Sequence, residues 1–172
     1  MQGFNAQVVT TTAQIVVAAE LSTDSPDARL LAPMTEAARD ELARIGLRES
    51  PAVLVADAGY WNVPQIEALA TAGLEVLVAP DSPSRDRDAG TRKPRDKRPE
   101  GRYLAMRRTL ASPRGRALYA LRRQVVEPIF GQTKAVRRCD RFQRRGLAAC
   151  RSEWRLIMAT HNLLKLWRHQ IA

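Results

Sequence analysis

Two acids in this sequence stand where a carboxylate could do chemistry. Asp57 closes the apolar run "PAVLVAD" (51–57) and is followed by "AGYWN". Glu127 lies in "RRQVVEPIFGQTK" (122–134), a stretch that is otherwise strongly basic. Arg123 stands four residues before Glu127 and Lys134 seven after it, so on an uninterrupted helix the three share a face. Gly131 lies on that face and leaves space beside the carboxylate. An acid at the carboxyl end of a strand in an open α/β sheet points to the crevice where ligands gather. Each acid also has a plainer reading. Asp57 ahead of Ala58 and Gly59 suits a turn or a cap. Glu127 with Arg123 suits an exposed i,i+4 salt bridge, worth roughly tenths of a kcal/mol. Taken together they suggest phosphodiester chemistry, in which two Mg²⁺ ions about 3.5–4 Å apart clamp the attacking and leaving oxygens. A few carboxylates suffice for Mg²⁺, because water and phosphate complete its shell. On that reading the acid holds metal and the surrounding bases hold phosphates.

The charge distribution points the same way. Residues 1–100 carry 11 Lys/Arg and 15 Asp/Glu, a balance of −4, whereas residues 101–172 carry 17 and 3, a balance of +14. Glu127, Asp140 and Glu153 are the three acids of the basic part. Such asymmetry suggests nucleic acid or an anionic membrane as partner. No 18-residue apolar run is present, so no membrane span is expected. No signal peptide opens the chain, and Cys139 and Cys150 make neither a zinc pattern nor a disulfide framework. Free thiols in a reducing cytoplasm are the expectation. With 172 residues and 45% hydrophobic content, the chain is long enough for one domain with a real core and hardly for two. Aromatics are only 5%, so that core should be mainly Leu, Ile, Val and Ala.

The elements that must position the acids follow from pattern. "FNAQVVTTTAQIVVAAEL" (4–21) reads as two strands joined by a short turn. Residues 25–46 read as a helix begun by Ser25 or Asp27 and ended at Gly46, with Leu30, Leu31, Met34, Ala38, Leu42 and Ile45 on one face. "PAVLVAD" reads as a buried, parallel strand, "NVPQIEALATAG" (62–73) as a helix with a Gly stop, and "LEVLVAP" (74–80) as another strand. The order β-β-α-β-α-β predicts an α/β sheet with helices packed on it. Residues 81–102 hold three prolines and mixed charge with almost no apolar residue, and read as a flexible loop. Helices are expected over 103–112, over 114–138 with a kink at Pro128, and over 147–169. The last has Leu147, Cys150, Trp154, Ile157, Met158, His161, Leu164 and Trp167 on one face, a stripe for core packing.

Several segments resemble the catalytic domain of bacterial insertion-sequence transposases, which have a ribonuclease H-like fold and a DDE triad of acids. They are "QGFNAQVV" with "QIVVAAEL", "LLAPM", "VADAGYWN", "VVEPIFGQTKAVRRCDRFQRRGL" and "EWRLIMATHNLLKL", in family order over nearly the whole chain. "ADAGY" and "VEPIFGQTK" are the most specific. The resemblance implies a single ribonuclease H-like domain over 1–172, a mixed sheet flanked by helices with long C-terminal helices. It implies that Asp57 is the second Asp and Glu127 the Glu, both catalytic and both metal-binding, with Mg²⁺ or Mn²⁺ as cofactor. It implies DNA contacts from Tyr119, Arg122, Arg123, Lys134, Arg137 and Arg138. The family signature runs Tyr, two residues, Arg, three residues, Glu, six residues, Lys. Arg123, Glu127 and Lys134 fit it, while Tyr119 is one residue too far from Arg123, or Arg122 one too far from Glu127. His161 and Asn162 match a His-Asn pair read as structural.

The first Asp has no match. The strand that should carry it reads "GFNAQVVTTT", with Thr11 where some relatives carry Asp and with Asn5 and Gln7 as neutral oxygen donors. Asp24 and Asp27 follow the second strand and read as caps. The chain opens directly on "MQGFN", without the DNA-recognition region the resemblance expects, which suggests a truncated copy or a C-terminal fragment whose remaining parts lie upstream of Met1. Two functions are therefore expected: a metal-dependent catalytic domain acting on transposon ends and target DNA, or a non-catalytic DNA-binding remnant. A homodimer in a DNA complex and a cytoplasmic, nucleoid-associated location go with both. An RNA-binding module is a weaker third, since no aromatic-rich stacking strand is present.

Overall fold

The computed structural model describes residues 3–24, 26–48, 51–81 and 101–170. Strands β1 (Asn5–Thr10) and β2 (Val16–Ser22) come first, then a 3₁₀ turn (Asp27–Arg29) and helix α1 (Leu31–Arg44). Strand β3 (Val53–Ala56), a second 3₁₀ turn (Ala58–Tyr60), helix α2 (Val63–Thr71) and strand β4 (Glu75–Val78) follow. Helices α3 (Arg102–Ala111), α4 (Pro113–Gly131) and α5 (Leu147–Gln170) complete the chain, with a π turn (Gln132–Val136) after α4. This is the expected mixed α/β class with a long C-terminal helix, consistent with the ribonuclease H-like reading. The predicted loop at 81–102 lies outside the described residues, except for Asp81, Gly101 and Arg102, the last of which already opens α3.

The chain gathers into two compact units. The first takes residues 1–25, 33–49 and 123–172, and the second takes 26–32 and 50–122.

In the first unit β1 and β2 form an antiparallel hairpin, from Asn5 opposite Ser22 to Val9 opposite Ala18, with an irregularity at Thr10. Thr11 and Gln14 close the turn. The Gln14 amide donates to the Thr11 carbonyl at 2.9 Å, and Gln14 takes a left-handed φ of 62°. The α5 helix packs on β2 with Cys150, Trp154, Met158 and His161 buried. Cys150, Trp154 and Met158 join Val16, Leu21 and Ile129 in one core, and Trp154 stacks on Phe130 with ring centres 5.8 Å apart. The stripe expected to reach Trp167 stops short, for Trp167 is 57% exposed. A 24-residue helix is about 36 Å long and outruns a seven-residue strand of about 23 Å.

Two polar residues of α5 tie it to the hairpin. Asn162 accepts from the Val16 amide at 2.8 Å and donates to the Val16 carbonyl at 2.7 Å, so it pairs with β2 as a strand residue would. Buried His161 lies between Gln132 Oε1 at 2.9 Å and the Gln14 carbonyl at 3.0 Å. Pro128 stays inside α4. It has no N–H to give the carbonyl four residues back, and Gln14 Nε2 donates to that carbonyl, Gln124 O, at 2.8 Å.

In the second unit β3 and β4 pair in parallel, Val53 opposite Glu75 through Ala56 opposite Val78, with α2 as the crossover. Asn62 caps α2 by accepting from the Gln65 amide at 3.2 Å. Gly73 ends the helix at φ 82°, with the Leu74 amide returning to the Leu69 carbonyl at 3.1 Å. Leu31, Ile66, Leu69, Leu74, Val76, Leu77, Val78 and Met106 form this unit's core. Three residues of β4 are buried, while β3, expected to be buried, is half-buried throughout. At the α3–α4 corner a Cβ on Gly115 would stand 1.9 Å from the Thr109 carbonyl oxygen, so only glycine fits that approach.

Candidate functional site

The residues expected to act divide between the units: Asp57, Tyr119 and Arg122 in the second, and Arg123, Glu127, Lys134, Arg137 and Arg138 in the first.

Asp57 follows β3 directly, as the run "VLVAD" requires, and does what a capping aspartate does. Its Oδ1 accepts from the Gly59 amide at 2.8 Å and starts the 3₁₀ turn. Its Oδ2 faces Arg122, whose Nη1 lies 3.9 Å away. Arg122 in turn sits over the Tyr119 ring, 5.6 Å from guanidinium carbon to ring centre. The three side chains form one charged group, with Tyr119 and Arg122 brought together by three-residue helical spacing. A second carboxylate stands beside them. Asp27 Oδ2 and Asp57 Oδ1 each lie 3.0 Å from the point a Cβ on Gly59 would occupy. Burial pushes the Tyr60 phenol far above its ordinary value, and the charges of Asp27 and Asp57 add to the shift. Burial also raises Tyr119, against the pull of Arg122's charge. Asp27 was missed as a neighbour of Asp57 because its local pattern says only "cap". The 3₁₀ turns at 27–29 and 58–60 meet through tertiary packing that no short window encodes.

Glu127 lies on α4 in the first unit. Its side chain is exposed and, among the described residues, makes no ion pair. The i,i+4 bridge to Arg123 is therefore not formed. Glu153, another acid of the basic part, is engaged with the backbone: it accepts from the amides of Gln143 at 2.9 Å and Arg144 at 3.0 Å.

The basic residues around Glu127 behave differently from one another. Arg123 and Arg138 are exposed. Lys134 is exposed with its ammonium 5.8 Å from the Phe130 ring centre. It lies in the π turn that follows Gly131, so the α-helix that carries Arg123 and Glu127 ends before Lys134. Arg137 turns inward, donating from Nη1 to the Ile157 carbonyl at 2.9 Å and from Nη2 to Thr160 Oγ1. Its guanidinium thus joins the π turn to α5. Of the first-strand alternatives, Gln7 is buried and donates to Asn5 Oδ1 at 2.7 Å, while Thr11 accepts from the Ile15 amide at 3.3 Å in the turn.

Among the described residues no group of three or more His, Cys, Asp or Glu side chains is placed to hold a metal ion, and no helix is long and apolar enough to cross a membrane. Cys139 and Cys150 are free thiols. A family model described as "Transposase DDE domain" matches residues 1–163. Comparison with curated proteins and with solved structures finds no match.

Proposed function

Because the chain belongs to the transposase DDE domain family, we propose that it cleaves and transfers DNA strands with Asp57 and Glu127 as its catalytic carboxylates. Strand cleavage would use in-line attack by water, and transfer would use attack by the freed 3′-hydroxyl. The observation that carries this reading is Glu127: an exposed carboxylate with no ion pair among the described residues, in a stretch whose other charges are positive. A surface acid so placed is costly to binding a polyanion unless it has a cation to hold.

The donor chemistry of Asp57 fits Mg²⁺ or Mn²⁺. Both are oxygen-seeking ions, and Asp57 Oδ2 has a positive group 3.9 Å away and no hydrogen bond among the described residues. Asp57, and Asp27 beside it, would hold the cation in the second unit. A divalent ion supplies Lewis-acid stabilisation of charge on the phosphodiester. The chain's own bases do the rest. Arg123, Lys134 and Arg138 are exposed cations suited to backbone phosphates, which fix register without reading sequence. Tyr119 is assigned to positioning the DNA end.

Nicking of supercoiled plasmid with Mn²⁺ tests the reading. Wild type should nick, and Glu127→Gln and Asp57→Asn should each lose at least about a hundredfold, as expected for loss of a group acting in the transition state. Equal nicking by wild type and Glu127→Gln would refute the catalytic assignment.

A second reading is favoured by one observation: β1 carries no acid, and its polar side chains Asn5 and Gln7 are engaged with one another. On that reading the chain binds DNA without cutting it. Absent nicking together with DNA affinity that falls steeply with salt would select it, because phosphate contacts release counterions.

A further inference from the structure

Two arginine–carboxylate pairs in the second unit differ in kind. Arg114 grips Glu75 with Nη1 at 2.5 Å and Nη2 at 2.8 Å, the bidentate fork that guanidinium and carboxylate prefer. Arg122 approaches Asp57 only to 3.9 Å, within ion-pair range and outside hydrogen-bond range. What holds Arg122 there is its stack on Tyr119, at 5.6 Å, and its burial, for its side chain is only 19% exposed. Its Nε is buried and has no hydrogen-bond partner among the described residues. Asp57, by contrast, is fixed through Oδ1 by the Gly59 amide. Its other oxygen faces the Arg122 charge and is bound by no donor among the described residues. Arg122 is the positive charge that faces this oxygen, held beside it by packing and not by a hydrogen bond to it. A charge that compensates without hydrogen-bonding is one that a stronger cation can replace.

We propose that Arg122 is a positioning residue, a displaceable counter-ion that balances Asp57 Oδ2 until a divalent cation takes that oxygen. The two positive charges repel at this range, so the arriving cation competes with Arg122 and sets it free of the carboxylate. Tyr119 keeps the released guanidinium within reach for return. This inference rests on the reading of Asp57 as a cation-binding carboxylate.

Calorimetric titration of the full chain with Mn²⁺ tests it on wild type, Arg122→Gln, Asp57→Asn and the double variant. Removing a neighbouring like charge should tighten Mn²⁺ binding by about three- to tenfold in Arg122→Gln, a modest effect for a partly solvated carboxylate. That gain should vanish in the double variant. Unchanged or weaker binding in Arg122→Gln, with Asp57→Asn still impaired, would overturn the counter-ion role and leave the Asp57 assignment standing. Equal Mn²⁺ binding by wild type and Asp57→Asn would overturn both. A measurement on wild type covers the case in which Arg122→Gln fails to fold. Phenylglyoxal modification of Arg122, read by mass spectrometry of the peptide, should rise when Mn²⁺ is added. Unchanged or reduced modification would count against displacement.

Discussion

The side-chain amide of Gln14 donates to the backbone carbonyl of Gln124 at 2.8 Å, the acceptor that Pro128 leaves without a helical donor. A residue in a hairpin turn thereby repairs a gap in a helix more than a hundred positions away in sequence. The coupling is testable. Gln14→Asn keeps a side chain that tolerates the positive φ but is too short to reach, and should destabilise by about 1 kcal/mol. In a Pro128→Ala background, where the helix supplies its own donor, that loss should largely disappear. Urea denaturation of the four proteins of this cycle gives the answer, and equal losses in both backgrounds would break the link.

Asn162 offers both of its amide groups to the backbone of Val16. Asn162→Ala removes two hydrogen bonds and leaves a strand N–H and C=O without them, which should cost about 2–3 kcal/mol. Asn162→Asp keeps the acceptor and loses the donor, so its midpoint should fall between those of wild type and the alanine variant. An alanine variant as stable as wild type would show that the amide is dispensable.

Gly115→Ala places a methyl 1.9 Å from the Thr109 carbonyl oxygen, an atom of the backbone that cannot swing aside. The α3–α4 corner must then open, at a cost of about 1–3 kcal/mol or more. Thermal unfolding should show a clear drop. The same substitution at Gly131 meets nothing within 4 Å and takes a helical conformation, so there it should be neutral or mildly stabilising.

The three tyrosines, Tyr60, Tyr103 and Tyr119, all have phenols raised above the ordinary value, each chiefly by burial. Tyr103 is raised also by the hydrogen bond it donates to Asp81. A folded value above the unfolded one means that folding favours the protonated form. The stability gained is fully present below about pH 10, where the unfolded phenol titrates, and is lost as pH rises beyond it. Near-ultraviolet phenolate absorbance should therefore rise later than for free tyrosine and coincide with loss of helical circular dichroism. A full phenolate signal near pH 10 in the folded chain would contradict this.

Much of the scaffold was legible from local rules. The hairpin follows from Val, Ile and Thr runs around "TTTAQ", and Gly46 and Gly73 end their helices at positive φ, as their positions after apolar helical patterns implied. Asp57 was findable because a short apolar run ending in an acid is itself a local pattern. What was not legible depended on the tertiary arrangement. Nothing in "GQTKAV" announces a π turn, yet Lys134 lies in one and not on the α-helix that carries Glu127. Arg137 looks like its neighbour Arg138 in sequence, and only the nearness of α5 turns its guanidinium inward. Arg122 looked like one more phosphate ligand until Tyr119 and Asp57 surrounded it. The apolar stripe of α5 is a core stripe only as far as His161, because helix periodicity does not reveal where the opposing strand ends.

The hydrogen bond from the Gly59 amide to Asp57 Oδ1 has a thermodynamic consequence. A free aspartate gripping a cation must give up rotamer freedom, and that entropy weakens the grip. Here the turn has already frozen the carboxylate, so the loss was incurred when the chain folded. Asparagine at 57 would keep the frozen turn and forfeit the charge. Shape and charge at this position are therefore separable, and the carboxylate's orientation belongs to the fold whether or not an ion ever arrives.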